Sequence, residues 1–581
     1  MSDNDAIAAR LEEMADRLEA EGVQYKPNAY RRAADSVRAH TVAIERLYEE
    51  GGEDAIAEID DVGEAIAAKA AEFLETGTIG ELAALREEFP VEIEALTAVE
   101  GVGPKTVRSL YDALGVETLD DLEAAAAAGE IREVSGFGEK TEANILENVA
   151  FAREAQRRSL LGEARPLAGR LIARFEDHEA VASVETAGSL RRWRPTIGDV
   201  DVLVGSDDAE AVVDAFESWD GVGSVIEAGT SKASVRSEGF RIDLRVVAPE
   251  EFGAALQYFT GSKDHNVALR NRAIAMGLKL NEYGVFDVSG IDDPDAGQRV
   301  GERVAGGTER GVYDALGMDW IPPELRENRG EIERAADGDL PELLTATDLN
   351  GDLHVHTDYS DGDGTLREMI EAAAAYGHEY VSIADHATGP GMVGGVGLDD
   401  AELAAQLDAI RELAAEAPIE VLAGVEANIG ADGEISVGEA VLADLDVVVA
   451  SPHSGLDGDG TDRLVAAIEH PEVDVLGHPT GRLLNRRPGH DIDIERVADA
   501  AAEHDTALEI NADPRRLDLR SSHVAAAIEA GATVVINTDA HAASAYDHVR
   551  FGVHTARRGW AEPADVLNCR DAEGLRAFLE R

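Results

Sequence analysis

Apolar residues recur at helical spacing in Ile7–Leu18, Ala29–Leu47 and Glu64–Leu74, which predicts several helices joined by short turns over residues 1–90. Glu92–Phe151 keeps the helical period and is interrupted by the glycine pairs Gly101/Gly103 and Gly136/Gly138. From Val181 the period shortens to that of strands, notably in Asp199–Val204 and Phe240–Val247. Helical spacing returns in Glu251–Gly261 and Val267–Met276. A polar stretch from Gly311 to Thr347, carrying Ile321-Pro322-Pro323, reads as a connector. After Asn350, short β-branched runs alternate with alanine-rich helices, the pattern of a layered or barrel α/β domain. The alanine runs Ala124–Ala128 and Ala372–Ala375 are helix formers, not low-complexity tails.

A chain of 581 residues with 44% hydrophobic content fills more than one core, and about three to five domains are expected. No run of 18 apolar residues occurs, so no membrane span is expected. The acidic, amphipathic start lacks the apolar centre of a signal peptide. Cys569 is the only cysteine and cannot form an internal disulfide, which fits a cytoplasmic protein. The charge complicates the picture: 116 acidic against 52 basic residues leave a net −64. Nucleic-acid binders are usually basic, so this balance alone argues against DNA. It also suits a halophile's cytoplasm, where the Debye length falls to ~3 Å at 1 M salt and repulsion is screened. DNA contacts would then come from backbone N–H groups, metal ions and a few local arginines.

Three segments share a local pattern: Asp61-Val62-Gly63, Val99–Lys105 around Gly101 and Gly103, and Val134–Lys140 around Gly136 and Gly138. In the last two, Gly-x-Gly precedes a helix with Lys105 or Lys140 in its first turn. Glycines allow close backbone approach, and a helix N-terminus presents free N–H groups to an anion. This is how a helix-hairpin-helix motif holds a DNA phosphate without reading sequence. An ordinary helix–helix turn explains any single copy equally well; the repetition beside phosphoryl-transfer motifs favours DNA.

Gly188-Ser189-Leu190-Arg191-Arg192 precedes Gly198-Asp199-Val200-Asp201. Residues two apart on a strand face the same side, so Asp199 and Asp201 point together, and Asp243 fits a third acid on a neighbouring strand. Adjacent carboxylates repel unless a cation lies between them, and such oxygen ligands suit Mg²⁺ or Mn²⁺. A solvated strand edge is the plainer explanation of Asp-x-Asp in so acidic a chain. The preceding Gly-Ser and arginines favour a nucleotidyl transferase.

Over roughly residues 1–320 the chain resembles the family X DNA polymerases. Besides these motifs, Asn28-Ala29-Tyr30-Arg31, Tyr258-Phe259-Thr260-Gly261-Ser262, Asn266, Arg270 and Asn281-Glu282-Tyr283 are similar to the family's segments. The resemblance implies that Asp199 and Asp201 hold both metals, and that Asp243 holds the catalytic one and helps activate the primer 3′-hydroxyl. Gly188, Ser189 and Arg192 would hold the outgoing pyrophosphate of a dNTP, Tyr258, Phe259, Gly261 and Asn266 its sugar and base, and Arg270 the template. It also implies a deoxyribose-phosphate lyase with Lys69 as the imine-forming amine. Lys26 and Tyr30 match nearby phosphate contacts, but Ala65 stands where a second lysine is often found. A lysine pKa is hard to depress among so many carboxylates, so a plain helix-surface lysine remains the alternative.

The C-terminal part carries His354, His356, Asp361, His386, Glu426, His453, His478, Asp539 and His541, almost all directly after short apolar runs. Ligands at the C-terminal ends of successive parallel strands converge on one face of a barrel. A lone histidine is more often packed than ligating; so many at strand ends are hard to explain that way. They exceed what one ion needs and suit two or three Mn²⁺, Zn²⁺ or Fe ions, with no thiolate to select zinc. This part resembles the PHP (polymerase and histidinol phosphatase) domain, which implies a distorted (βα)7 barrel and an Mn²⁺-dependent 3′–5′ exonuclease, in some members also an AP endonuclease or 3′-phosphatase. Arg482, Arg486 and Arg487 are candidate phosphate holders, or simply part of a solvated loop.

The expected architecture is therefore multidomain. It comprises a lyase-like helical domain (1–90), helix-hairpin-helix fingers (91–155), an α+β nucleotidyltransferase palm (156–250), a thumb (251–318), a linker (319–345) and the PHP domain (346–581). The expected activity is gap filling on gapped or primed DNA with dNTPs, plus phosphoesterase action, by a monomer away from membranes. The alternatives are a small-molecule phosphatase with a DNA-binding front half, and a non-enzymatic clamp on DNA ends.

Overall fold

The computed structural model describes residues 3–580 apart from 24–25, 40–43, 58, 60–61, 98, 100–101, 144, 147–148, 150–157, 295 and 391–395. The chain forms two compact units: Met1–Ser159 with Phe175–Glu185 and Gly198–Gly317, and Leu160–Arg174 with Thr186–Ile197 and Met318–Arg581.

In the first unit, helices Asp3–Ala20, Lys26–Ala39, Ile44–Ala57 and Glu64–Thr76 enclose a core containing Ile7, Leu11, Met14, Val37 and Ile66. The periodic stretch Ala29–Leu47 is thus divided between two helices. A further apolar cluster, with Val99, Val102, Val107, Leu110 and Ile131, packs helix Pro104–Leu114 against Leu119–Ala128. A five-stranded sheet follows in the order β1 (Ser183–Thr186), β2 (Val200–Gly205), β5 (Phe240–Val247), β4 (Lys232–Ser237), β3 (Ser224–Ala228). Strand β5 alternates buried and exposed residues, as a sheet with one covered face requires. Helices Phe252–Thr260 and Lys263–Ala275 lead into a three-stranded sheet of β6 (Leu278–Asn281), β7 (Gly284–Asp287) and β8 (Glu302–Ala305).

The second unit is dominated by seven parallel strands paired in chain order: β9 (Gly351–Val355), β10 (Tyr380–Ile383), β11 (Glu420–Asn428), β12 (Val447–Ser451), β13 (Val475–Leu476), β14 (Ala507–Asn511) and β15 (Val534–Asn537). Val355 forms a parallel bridge to Ala540, and the His356 N–H donates to the Ala540 carbonyl at 2.9 Å, so the first strand meets the last. Successive strand residues feed two separate cores, with Leu422, Val447, Val449 and Val535 in one and Val425, Val448, Leu508 and Ile536 in the other. Both faces are covered, which is why the strands read as continuous β-branched runs. Capping boxes at Thr365 and Asp399 start the first two long barrel helices.

The stretch read as a polar connector is folded. Helix Glu331–Asp337 lies within it, and Ile321, Leu325, Ile332, Ala335 and Leu344 are buried together with Glu324, Arg326 and Glu331. The charged residues tolerate burial because they are partnered: Glu331 accepts from the Asn328 and Arg329 N–H groups at 2.8 and 2.6 Å, and Arg326 Nε donates to the Ile321 carbonyl at 2.9 Å. Hydrophilic composition therefore did not mark a solvated linker. No described helix is long and apolar enough to cross a membrane.

Candidate active sites

Asp201 on β2 lies in parallel register with Asp243 on β5, and Asp199 sits immediately before β2. One carboxylate oxygen from each falls within 4.8 Å of the others, a spacing suited to a shared cation. Burial, and then the nearby Asp243 charge, pushes the Asp199 carboxyl above its usual range, while Arg241 and Arg158 pull it down. Asp243 accepts hydrogen bonds from Ser234 Oγ and from Arg241 Nε at 2.9 Å. The like-charge crowding is what a divalent ion would relieve.

Gly188 begins the short helix Gly188–Arg191 at φ 57, a left-handed conformation that favours glycine there. Gly188, Ser189 and Arg192 belong to the second compact unit, and the three aspartates to the first. The Arg192 Nε donates to Glu327 Oε1 at 3.1 Å.

Tyr258, Gly261, Asn266 and Arg270 line a cleft of about 500 Å³ together with Gln257 and Lys263. Tyr258 is exposed, and Phe259 lies edge-on to it under the Arg245 guanidinium, 4.6 Å from the ring centre. The Asn266 amide bridges the two helices by donating to the Tyr258 and Gly261 carbonyls at 2.7 and 3.2 Å. It therefore fixes the turn as well as facing the cleft.

Gly103 caps helix Pro104–Leu114 with an ordinary φ of −87 and no side-chain cap. A Cβ at Gly103, Gly136 or Gly138 would meet nothing within 4 Å, and the flanking Lys105 and Lys140 are exposed. At Gly103 and Gly138 neither packing nor a positive φ accounts for glycine. Without a Cβ the backbone at these positions stays open to approach. Gly101, also expected in this role, lies outside the described residues.

Lys69 forms an ion pair with Glu81 at 2.9 Å and donates to the Ala65 carbonyl at 3.3 Å. Partial burial disfavours the ammonium, but Glu81 and Tyr30 outweigh it and hold the Lys69 pKa above the usual value. That is opposite to what an imine-forming amine needs.

The barrel brings the nine candidate residues close to one another. Single ligand atoms of His356, Asp361, His386 and His541 lie within 4.8 Å of one another, as do those of His354, His356 and Glu426, and of His386, Glu426 and His453. The His478 Nε2 lies 2.9 Å from Glu426 Oε1, and Asp539 Oδ1 lies 3.1 Å from His356 Nε2. Although buried, His354 Nε2, both His356 nitrogens, His386 Nδ1 and Glu426 Oε2 have no hydrogen-bond partner among the described residues. His386 Nδ1 approaches Glu426 Oε2 to 2.5 Å without hydrogen-bond geometry. Such atoms aim at shared points and not at each other, which is how a donor set for several cations looks. Burial opposes ionisation of Glu426, but the surrounding His386, His453 and His354 hold its carboxyl well below the usual range. Burial and the neighbouring His386 and His541 lower His356 to about 3, whereas at His386 burial is overcome by the facing carboxylates Glu426 and Asp361, which raise it to about 10. His478 and Asp539 take left-handed φ values of 24 and 54, each at a cost of about 1–3 kcal/mol that strand ends at functional sites commonly bear.

Several residues here carried no sequence signal. The Glu509 carboxylate accepts from His354 Nδ1, Asn428 Oδ1 meets His453 Nδ1 at 2.8 Å, and the Arg516 Nε lies 3.7 Å from Asp539. The Glu509-Ile510-Asn511 run at a strand end was the available clue. Asp352 and Asp385, inside the ligand motifs, are tethers instead: Asp352 accepts from the Thr538 hydroxyl and N–H, and Asp385 from Thr357 N–H at 2.7 Å. Arg482 is spent on the Arg516 and Leu517 carbonyls, and Arg487 on that of Gly481.

Comparison with known proteins agrees with this layout. Residues 2–79 match a helix-hairpin-helix domain, 93–149 a SAM-like helix-hairpin-helix tandem, 255–327 the DNA polymerase beta thumb and 352–513 the PHP domain. The chain is 34% identical to the Bacillus subtilis DNA polymerase/3′-5′ exonuclease PolX over 583 aligned positions, 99% of each chain. Rat DNA polymerase lambda is 24% identical over 340 residues, 55% of this chain and 56% of its own. A probable phosphatase of Shewanella piezotolerans is 34% identical over 242 residues, 39% of this chain and 92% of its own. Parts of the chain thus have polymerase or phosphatase relatives, and one bacterial polymerase/exonuclease matches it over 99% of both lengths: the chain belongs to the family X DNA polymerases that carry a C-terminal PHP domain.

Proposed function

We propose that this protein fills short gaps in damaged DNA with its front half and trims 3′ ends with its barrel, as a cytoplasmic monomer. The carrying observation is the coexistence of two groups of side chains whose ligand-type atoms cluster within 4.8 Å, Asp199/Asp201/Asp243 and the barrel cluster around Glu426 and His356. In the first, the aspartates would hold Mg²⁺ or Mn²⁺, and Asp243 would draw the proton from the primer 3′-hydroxyl. Ser189 and Arg192 would orient the triphosphate, Tyr258 and Phe259 would stack against the sugar and base, and Arg270 would steady the template. In the second, the histidines and carboxylates would hold two or three Mn²⁺, Zn²⁺ or Fe ions, and Arg516, 3.7 Å from Asp539, would hold a scissile phosphate. Divalent cations supply charge for the phosphoryl oxygens and acidify bound water at both places. The exposed glycines Gly103, Gly136 and Gly138 with Lys105 and Lys140 would grip the DNA backbone despite the acidic surface. Lyase chemistry at Lys69 is not part of this reading, because the ion pair with Glu81 favours the protonated amine.

The test is extension and degradation of a gapped primer in Mg²⁺ or Mn²⁺, at low and at molar salt. Asp199→Ala/Asp201→Ala is expected to lose extension and keep degradation; His354→Ala/His356→Ala is expected to do the reverse. Extension surviving the first double substitution would refute the polymerase assignment.

A further inference from the structure

The turn carrying Gly188, Ser189 and Arg192 is anchored by side chains outside both ligand sets. Trp193 follows it at φ 54. Its indole lies between the Arg165 guanidinium, 3.7 Å from the ring centre, and the His554 imidazole, stacked at 3.5 Å with the planes 8° apart. Phe551 meets the same indole at a steep angle, 6.0 Å between centres. Phe551 and His554 both belong to the barrel helix Val549–Arg558. From the end of that helix, Arg558 donates to the Arg192 carbonyl at 2.6 Å, and Arg165 donates to the Leu190 carbonyl at 2.6 Å. Glu327 Oε1 receives three guanidinia: Arg192 at 3.1, Arg194 at 3.4 and Arg558 at 3.2 Å. Glu324 in turn holds His554 Nδ1 at 2.6 Å and Arg557 Nε at 2.7 Å.

All these residues lie in the second compact unit, so the phosphate-binding turn shares a folded body with the phosphoesterase barrel. A tryptophan in the left-handed region is strained and persists only where its surroundings over-determine it. Here the indole is stacked on one face by a cation and on the other by an imidazole, and the main chain on its N-terminal side is tied twice. Main-chain ties at Leu190 and Arg192, with a carboxylate aiming the Arg192 guanidinium, leave the turn little freedom to lose when an anion arrives.

We propose that Trp193, His554 and Glu327 are positioning residues for the polymerase reaction: the barrel helix pre-orders the turn that receives the nucleotide triphosphate. Nucleotide affinity is then set partly by residues of the phosphoesterase domain. This rests on the assignment of Ser189 and Arg192 to the triphosphate.

The experiment measures dNTP KM and kcat on gapped DNA, with exonuclease rate on the same DNA, for Trp193→Ala, Trp193→Phe, His554→Ala, Glu327→Gln and Arg192→Gln in the full chain. The expected result is a dNTP KM raised about tenfold or more in Trp193→Ala, His554→Ala and Glu327→Gln, with kcat and exonuclease rate within about threefold of wild type. Trp193→Phe, which keeps an aromatic face, should recover most of the loss. Unchanged KM in all three, alongside a raised KM in Arg192→Gln, overturns the proposal and leaves the triphosphate assignment standing. Unchanged KM in Arg192→Gln overturns the assignment itself. A parallel fall of kcat and exonuclease rate in all three variants, with no recovery by Trp193→Phe, means general loss of folding and also overturns the proposal.

Discussion

Glu509, fully buried on β14, accepts a hydrogen bond from His354 Nδ1 at 2.8 Å and another from the His478 N–H at 2.6 Å. One carboxylate thus orients two of the barrel's histidines and fixes the tautomer that leaves His354 Nε2 facing Glu426. Glu509→Ala is expected to weaken metal affinity about 10- to 100-fold. Manganese titration of exonuclease activity checks this, with primer extension in Mg²⁺ unaffected.

The glycine turns make a separable prediction, because Gly103 and Gly138 have open space where a Cβ would stand. Gly103→Ala/Gly138→Ala should cost at most about 1 kcal/mol of stability, the range of a changed N-cap. Binding to gapped DNA, followed by fluorescence anisotropy at fixed salt, should nevertheless weaken at least about tenfold. A variant that binds normally would remove these turns from the DNA-binding surface.

Acid stability depends on Glu327. Burial favours its protonated form, but the surrounding Arg192, Arg558 and Arg194 lower it from 4.5 to about 2. A depressed carboxyl pKa stabilises the fold fully above its ordinary value, and the contribution fades as pH falls through the folded value. The shift corresponds to on the order of 3 kcal/mol at neutral pH, lost between about pH 4.5 and 2. Melting curves of wild type and Glu327→Gln should therefore converge as the pH is lowered across that window. A constant gap would show that the carboxylate's charge is not what matters.

Lys69 should not form an imine readily at neutral pH, since Glu81 keeps it protonated. Borohydride trapping on a 5′-deoxyribose-phosphate end is expected to give little adduct with wild type at pH 7.5 and more with Glu81→Gln. Abundant wild-type adduct that disappears in Lys69→Ala would restore the lyase.

Much of the chemistry was legible because it is local. His-x-His and Asp-x-His at strand ends, Asp-x-Asp at the start of β2 and Gly-x-Gly before helices each place their groups through backbone periodicity alone. Spacing could not reveal Glu509 or Asn428, whose roles come from partners on other strands, His354 and His453. Nor could it show that Arg482 is consumed by carbonyl groups while Arg516 reaches the cluster. The connector stretch shows a related limit: Glu324, Arg326 and Glu331 look solvated in a linear string and are buried because an arginine, a histidine and main-chain groups meet them in three dimensions.

The order of residues by itself determined the helical front, the mixed palm, the parallel barrel and which residues are candidate ligands, since hydrophobic period and motif spacing act over a few neighbouring residues. Tertiary structure alone decided which buried charges are neutralised, which carboxylate pairs with Lys69, and which barrel helix supports Trp193. Those outcomes depend on distances between groups that the fold brings together, from Lys69 and Glu81 to Glu324 and Arg557, and electrostatic and stacking energies are set by such distances.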